Sequence, residues 1–172
     1  MSVELQLSDI YILSQEHAIK FYCDRPWACI SITTQNGDHP VLDDANCIDI
    51  LQVAFADLED KPSPVTLQIY PELGKLIDGT IADQILDFVE TIAGRIEVLM
   101  VHCAQGQSRS PATTAALLGI KPKLLEGTAP NRLVTSMLEW RKRERPERKR
   151  LLLADSLRIF GTELTPFTTS FS

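Results

Sequence analysis

Residues 95–119 read RIEVLMVHCAQGQSRSPATTAALLG. The run RIEVLMVH is short, apolar and rich in β-formers, which predicts a buried strand. SPATTAALLG, after the loop CAQGQSR, predicts a helix. Pro111 falls in its first turn, where a missing N–H costs nothing, and Gly119 ends it. Its Ala and Thr side chains are small enough for close packing on a sheet. A strand, a tight loop and a helix in this order form half of a parallel α/β crossover.

The same alternation extends in both directions. Upstream, DIYILS, WACISITT and CIDILQVAF predict strands, and SQEHAIKFY predicts a short helix capped by Ser14. ADLEDKPSPV reads as a loop on its prolines and charges. In GTIADQILDFVETIAG, Ile81, Ile85, Phe88, Val89 and Ile92 share one helical face. Thr80 and Asp83 have capping-box spacing, and Gly94 is a natural stop. Downstream, PNRLVTSMLEWRKRE predicts a helix capped by Asn131 and broken by Pro146, and ERKRLLLADSLRIFG predicts a last helix. Trp27, Trp140 and the apolar stripe of LLLADSLRIF read as core. The expectation is a single α/β domain over residues 1–172, with a mainly parallel central sheet flanked by helices. The last ~10 residues form a tail.

Bulk properties agree with a globular domain. The chain has 172 residues, 44% of them hydrophobic and 23% charged. A net charge of −6 argues against general nucleic-acid binding, and no apolar run is long enough to span a membrane. MSVELQLSD carries no basic or apolar segment of the secretory type. Cys23, Cys29, Cys47 and Cys103 form no Cys-x-x-Cys pair, so free thiols in a reducing cytoplasm are expected. RKRERPERKR has seven basic and two acidic residues. A solvated helical junction explains it more simply than a docking patch.

The loop Cys103–Arg109 carries the chemistry. Consecutive N–H groups of Ala104, Gln105, Gly106, Gln107 and Ser108 can form an anion nest ahead of a helix N-terminus. Gly106 allows backbone angles that a Cβ opposes. Arg109 supplies a bidentate fork for two oxygens of a tetrahedral oxyanion. These groups also favour a thiolate on Cys103, which then becomes a nucleophile aimed at a bound phosphorus. No metal or other cofactor is called for, because the loop itself neutralises transition-state charge. A plain buried cysteine and a plain surface arginine are the alternatives, and their joint placement weighs against both.

HCAQGQSRS resembles the signature loop of the cysteine-based protein tyrosine phosphatase superfamily, and most of all its dual-specificity branch. APNRLVTSMLEW is similar to the helix that follows this loop in many members. The resemblance implies a phosphatase-type α/β fold and a two-step phosphomonoester hydrolysis. Cys103 would attack phosphorus to form a phosphocysteine while an acid protonates the leaving oxygen. Water would then release phosphate, with that acid now acting as base. Ser110 would assist departure of the thiolate. His102 would orient the loop and hold the thiolate pKa low through hydrogen bonds. The substrate would be a phosphorylated protein or another phosphomonoester.

The family's acid is usually an Asp on a separate loop after an earlier strand. Asp57 stands first after ILQVAF and is the choice, with Asp60 as the alternative and Asp78 a poorer one. Members that act on phosphoinositides often carry lysines in the signature loop, where Gln105 and Gln107 stand here, which disfavours a highly charged inositol lipid. Cys29 and Cys47 read as core, with a protective disulfide to Cys103 as a weaker possibility. Two rival functions remain. One is a catalytically silent phosphate-binding module, although Cys103 and Arg109 are both kept. The other is a rhodanese- or arsenate-reductase-like cysteine enzyme, which Ser108 and Ser110-Pro111 fit less well.

Overall fold

The computed structural model describes residues 7–145 and 153–161. Five parallel strands form one sheet: β1 (Leu7–Ser14), β2 (Trp27–Thr33), β3 (Cys47–Ala54), β4 (Val98–Cys103) and β5 (Leu153–Phe160). Their spatial order is β3-β2-β4-β1-β5. The two central runs, WACISIT and VLMVHC, are buried at every position, as expected of parallel strands covered on both faces. β3 is an edge strand and leaves the polar Asp49 and Gln52 exposed.

Helices cover the two faces unequally. α3 (Gly79–Ile92), α4 (Arg109–Leu118) and α5 (Arg132–Glu144) close the larger core. There Ile85 and Ile92 belong to one buried cluster with Ile12, Ile30 and Val101. α1 (Gln15–Ile19) and the segment after it cover the other face, over Leu13, Phe21, Trp27, Cys29 and Met100. α4 is buried from Arg109 to Leu117, which only its small Ala and Thr side chains permit.

Several expectations are corrected. The last predicted helix is strand β5, paired with β1 in the register Asp9↔Arg158, Ile10↔Ile159 and Tyr11↔Phe160. Asp9 is fully buried there, and Arg158 and Arg25 both pair with it. The α3 N-cap is Asp78, whose carboxylate accepts from the Ile81 N–H at 2.9 Å, and not Thr80. Asp83 pairs instead with Arg141 and Arg145 of the α5 end. Trp27 is buried as expected, whereas Trp140 is 43% exposed, with the Arg141 guanidinium 5.1 Å from its ring centre. The stretch ADLEDKPSPV, expected to be loop, is loop up to Ser63, but its last two residues, Pro64 and Val65, begin α2 (Pro64–Ile69), and a 3₁₀ turn follows at Pro71–Gly74. Pro146 and the C-terminal tail lie outside the described residues, as does the second half of the basic run, residues 146–150.

The strands run the same way, so the carboxyl ends of β1 to β4 share one rim of the sheet. β4 lies between β2 and β1, so its end sits at the centre of that rim. In open α/β sheets this is where ligands bind.

Candidate active site

β4 delivers Cys103 to the central position of the rim, opposite Ser14 on β1. Strand alternation turns Cys103 toward the larger core, together with Leu99 and Val101. The loop then climbs to α4, turning at Gly106 with φ 70°. That angle lies in the left-handed region, which glycine adopts without strain. Two other segments hold the loop: the Gln15 N–H donates to Ala104 O at 3.1 Å, and the Ala129 N–H to Gln107 O at 2.8 Å.

Cys103 is 2% exposed. Its Sγ lies 3.2 Å from Ser110 Oγ. Burial pushes the thiol pKa up, but the Ser110 hydroxyl, the backbone N–H groups of Ser110 and Gly106 and the Arg109 charge outweigh it. The net effect holds the pKa below the ordinary value. Ser110 is itself fully buried at the start of α4, and its carbonyl accepts from Thr114 Oγ1 at 2.9 Å.

Arg109 is anchored from one side. Its Nη1 donates to Phe55 O at 2.8 Å and to Thr34 Oγ1 at 3.3 Å. Phe55 and Thr34 follow the ends of β3 and β2, so two strand ends fix the guanidinium that the loop after β4 delivers. Its Nε is buried with no partner among the described residues. A buried donor left open is costly, and a bound oxyanion would satisfy it.

Asp57 meets this loop directly. Ser108 Oγ donates to Asp57 Oδ1 at 2.7 Å, and Asn131 Nδ2 donates to the same oxygen at 2.9 Å. Ser108 spends its hydroxyl here and makes no capping bond to α4. The next turn of the Asp57 loop is clamped as well. Glu59 accepts the Arg132 backbone N–H at 2.8 Å and holds the Arg132 guanidinium through Oε2. The alternative candidates are not joined to the loop: among the described residues Asp60, exposed like Asp57, makes no hydrogen bond to it, and Asp78 is committed to capping α3.

Two expectations change. His102 is fully buried, but neither ring nitrogen has a hydrogen-bond partner among the described residues, so no side-chain bond from it orients the loop. Burial foremost, with the charges of His39 and Arg109 adding to it against a favourable bias from the Cys103 backbone, pushes its pKa down to about 4. Cys29 and Cys47 belong to the core on the opposite face of the sheet from Cys103, so the β-sheet separates them from the nucleophile position. Burial drives the Cys29 thiol well above its ordinary pKa.

Sequence reasoning found Cys103, Arg109, Ser110, Ser108 and Asp57, which the fold brings together. It missed Thr34 and the Phe55 carbonyl, for which no local pattern exists, and it saw Asn131 only as a cap. Chemically, the arrangement offers a stabilised thiolate, an open guanidinium donor and a carboxyl group joined through Ser108. No model of a known protein family matches this chain, and no curated protein does.

Proposed function

We propose that this protein is a metal-independent phosphomonoester hydrolase of the cysteine-dependent, dual-specificity-phosphatase-like type. One observation carries the reading. A thiol with a lowered pKa and a buried arginine with an unsatisfied Nε close one seven-residue loop at the centre of the sheet rim, and Asp57, on a separate loop after β3, is hydrogen-bonded to that loop through Ser108. Cys103 attacks phosphorus, and the P–O bond to the leaving group breaks as Asp57 protonates that oxygen. Arg109 and the loop N–H groups of Ala104, Gln105, Gly106, Gln107 and Ser108 carry the charge of the transferring phosphoryl group. Water, deprotonated by Asp57, then attacks the phosphocysteine. The departing thiolate is received by the Ser110 hydroxyl, 3.2 Å away.

The test is hydrolysis of para-nitrophenyl phosphate in the presence of a chelator. The wild type turns over and Cys103→Ser does not. Asp57→Asn loses the basic limb of the kcat profile, because that limb records deprotonation of the acid. A wild type with no turnover from mildly acidic to neutral pH, or an active Cys103→Ser variant, would overturn the proposal.

A further inference from the structure

Asn131 is 2% exposed, and all its polar groups are engaged. Its backbone N–H donates to Ser108 O at 3.2 Å, and its carbonyl accepts from the Thr135 N–H at 3.2 Å. Its Oδ1 accepts from the Val134 N–H at 3.1 Å, capping α5. That bond fixes which end of the amide is oxygen. The Nδ2 group therefore faces the acid loop, donating to Asp57 Oδ1 at 2.9 Å and to Leu58 O at 3.3 Å. One side chain thus joins the anion loop, the acid loop and a helix start.

We infer that Asn131 is a positioning residue for Asp57 that, together with Ser108, fixes Oδ1 as the acceptor oxygen and makes Oδ2 the oxygen that carries the proton. The inference rests on the phosphatase reading above. A protonated carboxyl group has one O–H and one carbonyl oxygen, and the carbonyl is the better acceptor. Oδ1 receives both the Ser108 hydroxyl and the Asn131 amide, so it is the carbonyl oxygen. In the first step the Cys103 Sγ–P bond forms and the P–O bond breaks. The Oδ2 proton passes to the leaving oxygen, and the two donors on Oδ1 stabilise the resulting carboxylate. In the second step water forms its bond to phosphorus and the S–P bond breaks. The water proton returns to Oδ2, and the thiolate is restored.

Two variants test this. Asn131→Ser keeps a capping oxygen for Val134 but removes the amide donor. Asn131→Asp keeps the cap and sets a second carboxylate beside Asp57. The readouts are kcat across aryl phosphates whose leaving phenols range from acidic to weakly acidic, the kcat–pH profile, and thermal unfolding. For Asn131→Ser we expect a loss of about 10-fold or more on the weakly acidic phenols and a much smaller loss on the most acidic, which need the acid least. For Asn131→Asp we expect the basic limb to move to higher pH, because a like charge opposes ionisation of Asp57. An unchanged leaving-group dependence in Asn131→Ser, whether the rates fall uniformly or not at all, overturns the inference. Where Asn131→Ser unfolds, an unmoved basic limb in Asn131→Asp overturns it. Cys103-dependent turnover in the wild type with either of these results removes only the role of Asn131. Absence of that turnover removes the phosphatase reading and this inference together.

Discussion

At the scale of single residues, the two neighbours His102 and Cys103 illustrate opposite uses of burial. His102 ends on the smaller-core face with no hydrogen-bond partner for its ring among the described residues, and burial foremost drops its pKa from 6.5 to about 4. The native state then binds fewer protons than the unfolded chain between those values, and stability rises with pH there. The gap is worth about 3 kcal/mol, fully present above pH 6.5 and lost progressively as the pH falls to about 4. Urea unfolding of the wild type and His102→Asn at several pH values checks this. The variant should lack that part of the acid slope, whatever its absolute stability. Cys103 is also buried, yet its donors outweigh the desolvation, so its thiolate forms below the ordinary 9.0. Alkylation followed by mass spectrometry should modify Cys103 at lower pH than Cys47, whose thiol burial raises. Ser110→Ala should move the Cys103 profile upward. The pattern HCAQGQSRS made the cysteine and arginine legible because one loop holds both. The Thr34 and Phe55 anchors of Arg109 were not legible, because they lie 75 and 54 positions away and meet it only through the sheet.

At the scale of elements, periodicity identified α3 but not its start. Thr80 and Asp83 have the right separation for a capping box, but so do Asp78 and Ile81 for a plain N-cap, and only the backbone decides between them. Asp78 has the extended conformation of a cap, and its carboxylate takes the Ile81 N–H. Asp78→Ala should therefore cost about 1 kcal/mol in denaturant unfolding, while exposed Thr80→Ala should change stability by a few tenths. Equal effects would restore the capping-box reading. Asp83 works at the next level of structure, binding Arg141 at 2.7 Å and Arg145 at 2.8 Å, so that α3 holds the end of α5. α5 and its cap in turn present Asn131 and Arg132 to the loop of Asp57 and Glu59. The placement of Asp57 thus depends on a helix–helix contact that no local pattern announces.

For the whole molecule, the decisive misreading was β5. LLLADSLRIF carries apolar residues at spacings that serve a helix or a strand, and the sequence alone offers no way to choose. The sheet makes the choice. β1 has β4 on one side and an open edge on the other, and it carries Asp9, a fully buried carboxylate. An unpaired charge there would be costly, and a strand carrying Arg158 in register with Asp9 satisfies both needs. Burial raises the Asp9 pKa, but the hydrogen bonds from Arg158 and Arg25 outweigh it and hold the carboxyl below its ordinary range. The ion pair therefore adds stability above the unfolded-state pKa and loses it as the pH falls through the folded one. No helix among the described residues is long and apolar enough to cross a membrane. Arg158→Ala leaves Asp9 with Arg25 alone. Because the Arg158 side chain is 61% exposed, the loss should be moderate, about 1–2 kcal/mol. Hydrogen exchange should localise it, speeding amides of β5 and the outer edge of β1 while β2 and β4 keep their protection. The turnover through Cys103 proposed above should persist, since β4 reaches the site between β1 and β2 and β5 lies beyond it. Uniformly faster exchange across the sheet would instead mean that the Asp9 cluster supports the whole molecule rather than its edge.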